Sequence, residues 1–142
     1  MSLGPRTAKG SFEVTLQPLS NAEVSSHPLL GRMLLVKKFS GDLVADARGQ
    51  MLSAGTNTRG SACYVAIDHV TGTIEGRTGG FLLQHCGTMN RGEPSLSIQV
   101  VPDSGTEDLV GLTGTLRINI VEGKHFYEFD FQLPDRQLPD RS

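Results

Sequence analysis

Three polar side chains fall where an alternating pattern otherwise places apolar ones. His85 shares a period-two face with Phe81, Leu83 and Met89. His125 shares one with Tyr127, Phe129 and Phe131. Tyr64 stands among small residues, Ala62 and Ala66, on the face opposite Cys63, Val65 and Ile67. Histidine exchanges protons near neutral pH, and a tyrosine hydroxyl both donates and accepts. Small neighbours beside an aromatic hydroxyl leave space that a cavity could use. Tyr64, His85, Tyr127, Phe129 and Phe131 are therefore the expected lining of a ligand pocket, with Tyr64 and His85 as candidate catalytic groups. The competing reading makes each a satisfied residue of the core or rim; it is the stronger one for His85 and more so for His125, at a strand start, while for Tyr64 the two readings balance.

Other chemistries find little support. His27, His69, His85 and His125 share no short spacing that sets two ligands on one face, and C-x-x-C is missing, so no metal site is expected. No glycine-rich turn joins a strand to a helix, which argues against a dinucleotide cofactor; no cofactor of any kind is expected. Ser104-Gly105 belongs to a turn between strands rather than to a nucleophile elbow. A net charge of −2 gives no basic stripe for nucleic acid. No run of 18 apolar residues suggests a membrane helix, and the N-terminus lacks the apolar core of a signal peptide. Two cysteines, Cys63 and Cys86, without an export signal suggest a cytoplasmic protein with two buried, reduced thiols. The run Arg32, Lys37, Lys38 reads as a solvated face.

The elements that must position these residues are strands. The 142 residues suit one domain. Alternation marks strands over 10–18, 32–39, 42–54 (bent or bulged at Gly49), 61–74, 81–89, 94–100, 115–121 and 125–133. Glycine-bearing turns separate most of them, and Glu122-Gly123-Lys124 makes a tight hairpin. The polar segment 19–31 is a loop with room for one helical turn. Eight consecutive strands with short turns leave two open edges or close, and closure removes the edges. The expected fold is all-β: an eight-stranded antiparallel barrel of meander topology. It should occupy residues 10–134, after an arm over 1–9 and before a solvated tail over 135–142, where QLPDR is repeated.

The motifs F-x-G-D-L (39–43), G-S-A-x-Y-V-A-I (60–67), V-x-G-T-I-x-G-R-x-G-x-F-x-L-Q-H-x-G (70–87) and V-V-P-D-S-G-T-x-x-L-x-G-L-x-G (100–114) resemble those of a family of small bacterial proteins of unknown function. The match covers roughly residues 10–134. That family's barrel is similar to that of plant allene oxide cyclase, a calycin-like barrel, and more distantly to dirigent proteins. Those relatives bind apolar small molecules in the barrel; the resemblance implies the barrel and not the chemistry. Of the cyclase's cavity pair, a Glu and an Asn two residues on, Glu13 matches and Thr15 does not. The cyclase's cavity cysteine has no counterpart after Ala54-Gly55. Glu13 thus joins Tyr64 and His85 as a catalytic candidate by resemblance alone, and one barrel carries many chemistries.

Two functions follow from different classes: a barrel that binds an apolar small molecule, an isomerase or cyclase among them, or a non-catalytic interaction module whose barrel is filled. Several strands are apolar on both faces. Cys63, Val65 and Ile67 oppose Tyr64, Ala66 and Val70; Leu82 and Cys86 oppose Phe81, Leu83 and Met89; Leu34 and Val36 oppose Met33 and Leu35. Such strands need a second covering surface. A homodimer or higher homo-oligomer through the outer faces of the fourth and fifth strands is expected, with Cys63 or Cys86 near the contact. Sedimentation equilibrium at micromolar concentration should give at least twice the 15.3 kDa chain mass; a clean monomer would rule the assembly out.

Overall fold

The structure, a computed structural model, describes residues 4–19 and 29–135. The expected helical turn within 19–31 and the second QLPDR copy lie outside them. Eight strands follow one another: β1 Arg6–Pro18, β2 Leu30–Gly41, β3 Leu43–Gly55, β4 Ala62–Ile74, β5 Arg77–Asn90, β6 Glu93–Val100, β7 Thr113–Val121 and β8 Lys124–Gln132. Each pairs antiparallel with its neighbour, and β1 pairs with β8. The closed meander barrel expected from the sequence is the observed fold. Three hairpins turn on an X-Gly pair, Glu75-Gly76, Arg91-Gly92 and Glu122-Gly123, with both residues at positive φ. Two-residue turns of that kind match the twist of the strands they join.

Register separates a lumen face from a solvent face on every strand. The strand at β3 carries no bulge at Gly49: Gly49 pairs with Leu35 on one side and Asp68 on the other, in unbroken ladders. Its lumen face, Leu43, Ala45, Ala47, Gly49, Met51 and Ser53, narrows to small side chains in the middle. Beyond β6 the chain 101–112 laps against β5, where Val101 and Thr106 donate to the carbonyls of Leu82 and Gly80. It includes one 3₁₀ turn, Glu107–Leu109.

The two ends of the barrel differ. One is packed with Phe39, Leu43, Ile74, Phe81, Leu109, Leu112, Phe129, Phe131 and Leu133, all buried. Phe81 and Phe129 stack at 5.9 Å, and Phe129 and Phe131 at 5.4 Å. At the other end the lumen-phase residues Leu16, Met89, Leu96 and Ile120 are exposed, which makes it a mouth. Tyr127 ties the closed end together. Its hydroxyl accepts from the buried Leu43 N–H at 2.9 Å and donates to the Ser40 carbonyl at 2.9 Å. The ring fits because Gly10 stands opposite it, where a Cβ would come within 2.6 Å of the hydroxyl.

Two expectations are corrected. Cys63 and Cys86 are exposed thiols rather than buried ones, because both sit in the outward phase with Val65. They are also out of step: Cys63 pairs with Thr88 and Cys86 with Val65, so the two are offset across the β4–β5 ladder. Lys37 is no part of a solvated face. It lies in phase with Leu35 and Phe39, points into the lumen and is 8% exposed; Lys38, one residue on, is exposed.

Tyr127→Phe should leave the Leu43 N–H buried without a partner and cost about 1–3 kcal/mol. Urea unfolding followed by circular dichroism should show the lower midpoint with an unchanged slope.

Candidate functional site

Among the described residues, one buried charged cluster lies in the lumen. Asp68, on β4, is fully buried. Its Oδ2 accepts from Lys37 Nζ of β2 at 2.7 Å and from His85 Nε2 of β5 at 2.9 Å. The Lys37–Asp68 pair therefore reaches across β3, from β2 to β4. The small lumen side of β3 allows this: a Cβ at Gly49 would come within 2.5 Å of Asp68 Oδ1. Lys37 Nζ also lies 5.9 Å from the centre of the Phe12 ring.

Charge and hydrogen bonding settle the ionisation of this carboxyl. Burial pushes Asp68 up; the hydrogen bond from His85 and the adjacent Lys37 ammonium outweigh it and hold the group below its ordinary value. Asp68 is an anion at neutral pH and accepts only, so the His85 proton sits on Nε2. In the neutral ring Nδ1 then carries the lone pair. Asp68 Oδ1 is buried, with no hydrogen-bond partner among the described residues.

Nearer the mouth, β4 sends Tyr64 over Gly87 of β5, its cross-strand partner. A Cβ at Gly87 would press within 2.4 Å of the Tyr64 ring. Between Tyr64 and Asp68 on the same face stands only Ala66. Burial raises the Tyr64 hydroxyl above its ordinary value, and the negative charge of Asp68 adds to it. Tyr64 and Gly87, with Met51, Ser53, Met89 and Leu96, line a largely apolar pocket of about 340 Å³.

The sequence-derived candidates divide accordingly. Tyr64 and His85 come together, diagonal neighbours on the lumen faces of β4 and β5, since Ala66 pairs with His85 and Tyr64 with Gly87. Tyr127, Phe129 and Phe131 face the same lumen and are buried in its closed half. Glu13 is exposed on the outer face opposite Lys38, because Phe12 and Val14 take the inward phase. His125 is half-buried against Phe12, ring centres 5.1 Å apart. Lys37 and Asp68 escaped sequence reading. The signal for both was a charge in lumen phase: Leu35-x-Lys37-x-Phe39 and Ala66-x-Asp68-x-Val70. Among the described residues no group of three His, Cys, Asp or Glu side chains is placed to hold a metal.

These features define a class: a closed, eight-stranded meander barrel, plugged with aromatics at one end, with a buried ionic cluster in its lumen and, among the described residues, exposed apolar side chains at the rim of the other end. The chain belongs to the DUF3224 family, described as proteins of unknown function, whose model matches residues 8–131. It is similar to a solved protein of that family from Shewanella oneidensis MR-1, also of unknown function. The two are 47% identical, the match covers 92% of this chain and 98% of the other, and the TM-score is 0.86. No curated protein matches the chain.

Removing one partner of a buried ion pair is far more damaging than replacing the whole cluster with apolar groups. Asp68→Asn should cost about 3–5 kcal/mol, while the triple change Lys37→Met, Asp68→Leu, His85→Phe should fold with much smaller loss. The sign of the pH effect follows from the depressed carboxyl. Its stabilisation is complete above the unfolded-state value, about 3.9, and is lost as pH falls through the lower folded-state value. Wild type should thus lose stability in acid below about pH 4 more steeply than the triple variant, as read from urea midpoints across pH.

Proposed function

We propose that this barrel binds an apolar small molecule through its open mouth. One observation carries the reading: an apolar pocket of about 340 Å³, lined by Met51, Ser53, Tyr64, Gly87, Met89 and Leu96 of β3 to β6, is within the usual range for ligand sites. Met51, Met89 and Leu96 would take the ligand's apolar body, and the Tyr64 hydroxyl would orient it. The sequence motifs further support a likeness to the allene oxide cyclase-type barrel. An isomerase or cyclase is the enzymatic form of this function, with the Asp68-oriented His85 as its acid–base group. The aromatic plug of the closed half supports the alternative, an interaction module with a filled barrel.

Two accompanying proposals concern setting. Two exposed, unpaired thiols suit a reducing compartment such as the cytoplasm. The outer face of β4 exposes Val65 and Ile67, beside the exposed Cys63 and, on β5, Cys86, which supports self-association through the β4–β5 side; Val44 and Leu52 continue the apolar patch onto β3.

N-phenyl-1-naphthylamine, a neutral fluorophore dark in water, tests the pocket. Its emission should rise on binding at micromolar protein. Ser53→Phe, which fills the mouth, should abolish the rise; Ile67→Asp, on the outer face, should preserve it. A wild-type protein that leaves the dye dark favours the filled barrel. Native mass spectrometry of protein purified from its own host should retain the natural ligand.

A further inference from the structure

We infer that the ligand is a neutral, planar aromatic molecule that stacks on the ring of Tyr64. The inference rests on the mouth-binding reading above and adds the chemical class of the ligand.

The ring of Tyr64 lies flat against the wall. A Cβ at Gly87 would come within 2.4 Å of its Cε1, 2.9 Å of its Cδ1 and 3.1 Å of its Cζ. Three consecutive ring carbons so close to one point set that point over the face of the ring; beyond the rim, one carbon would be near and its neighbours clearly farther. A Cβ at residue 87 would point into the lumen, in phase with His85 and Met89. The ring lies across that direction, with one face on the glycine and the other turned to the lumen. Tyr64 and Gly87 both line the pocket, so the free face is a wall of it.

Two thioethers flank this face. Met51 of β3 stands opposite Ala66, and Met89 of β5 stands opposite Ala62, the residues two positions to either side of Tyr64 on β4. Both methionines line the same pocket. Aromatic rings stack offset on one another, and a thioether sulfur sits favourably at the edge of a ring. A flat guest laid on Tyr64 turns its edges toward Met51 and Met89, and meets both preferences at once. No Asp, Glu, Lys, Arg or His among the described residues lines the pocket. An ionic guest would lose its water there and find no countercharge.

Displacement of N-phenyl-1-naphthylamine by naphthalene and by its saturated counterpart, decalin, tests this. Decalin carries the larger apolar surface, so burial alone favours it. Naphthalene should nonetheless compete about tenfold better in the wild-type protein, the combined size of one stack and two sulfur contacts. Tyr64→Leu keeps the lining apolar and removes the stacking face, and there the preference should vanish. Gly87→Ala drives a Cβ into the ring from beneath and should shrink the preference. Decalin displacing the dye as well as naphthalene does in the wild type, or a preference that survives Tyr64→Leu intact, overturns the aromatic inference and leaves the mouth-binding reading standing. A dye that stays dark with the wild-type protein overturns both. Should a variant not fold, the wild-type comparison decides by itself.

Discussion

The structure turns on one carboxylate. Asp68 is an anion inside a barrel that is otherwise apolar, and its position is bearable only because a lysine and a histidine reach it. Those two come from strands on either side of β4, one adjacent and one a strand beyond. The contact therefore spans a quarter or more of the barrel wall, and everything around it is arranged to let that happen. The lumen side of β3 shrinks to Ala45, Ala47 and Gly49 where the Lys37 side chain crosses it. A Cβ at Gly49 would press within 2.5 Å of Asp68 Oδ1.

The same device recurs three times. Gly10 faces Tyr127, Gly49 faces Asp68 and Gly87 faces Tyr64, each pair directly opposed across a ladder. In each, the polar side chain leans over the neighbouring strand into the volume a Cβ would take. Leaning sideways keeps these groups against the wall. Nearer the mouth, this lays the Tyr64 ring over Gly87 of β5. Two of the three, Asp68 and Tyr64, leave β4 in opposite directions, one toward β3 and one toward β5, and the strip between them is bare apart from Ala66.

Strand count, order and closure were legible in the sequence because alternation is a local signal and hairpin turns carry their own glycine chemistry. His85 and Tyr64 could each be put on a face with apolar or small neighbours, but whether that face or the opposite one, with Gln84, lines the lumen was not legible. Lys37 was misread because charge was weighed against adjacent residues, Arg32 and Lys38, instead of against its own face. Asp68 lies in a strand whose two faces are both apolar, where neither phase advertises itself as inside. The cysteines were misassigned for the same reason: on β4 and β5, hydrophobicity does not distinguish lumen from surface, and only the ladder partners do. The ion pair itself was beyond reach, because it joins strands that are not neighbours.

The seam between β1 and β8 joins Arg6 to Phe131 and Phe12 to His125, residues more than a hundred positions apart. Every other pairing links strands consecutive in the chain. Loop-closure entropy thus weighs on a single event in folding. Until that seam forms, the chain is an open curved sheet with two unpaired edges, and one of them, β8, carries Tyr127, Phe129 and Phe131 along it. Such an edge can pair with the wrong chain as readily as with its own. The nascent protein is most vulnerable to aggregation in the interval between completing its last hairpin and docking its first strand.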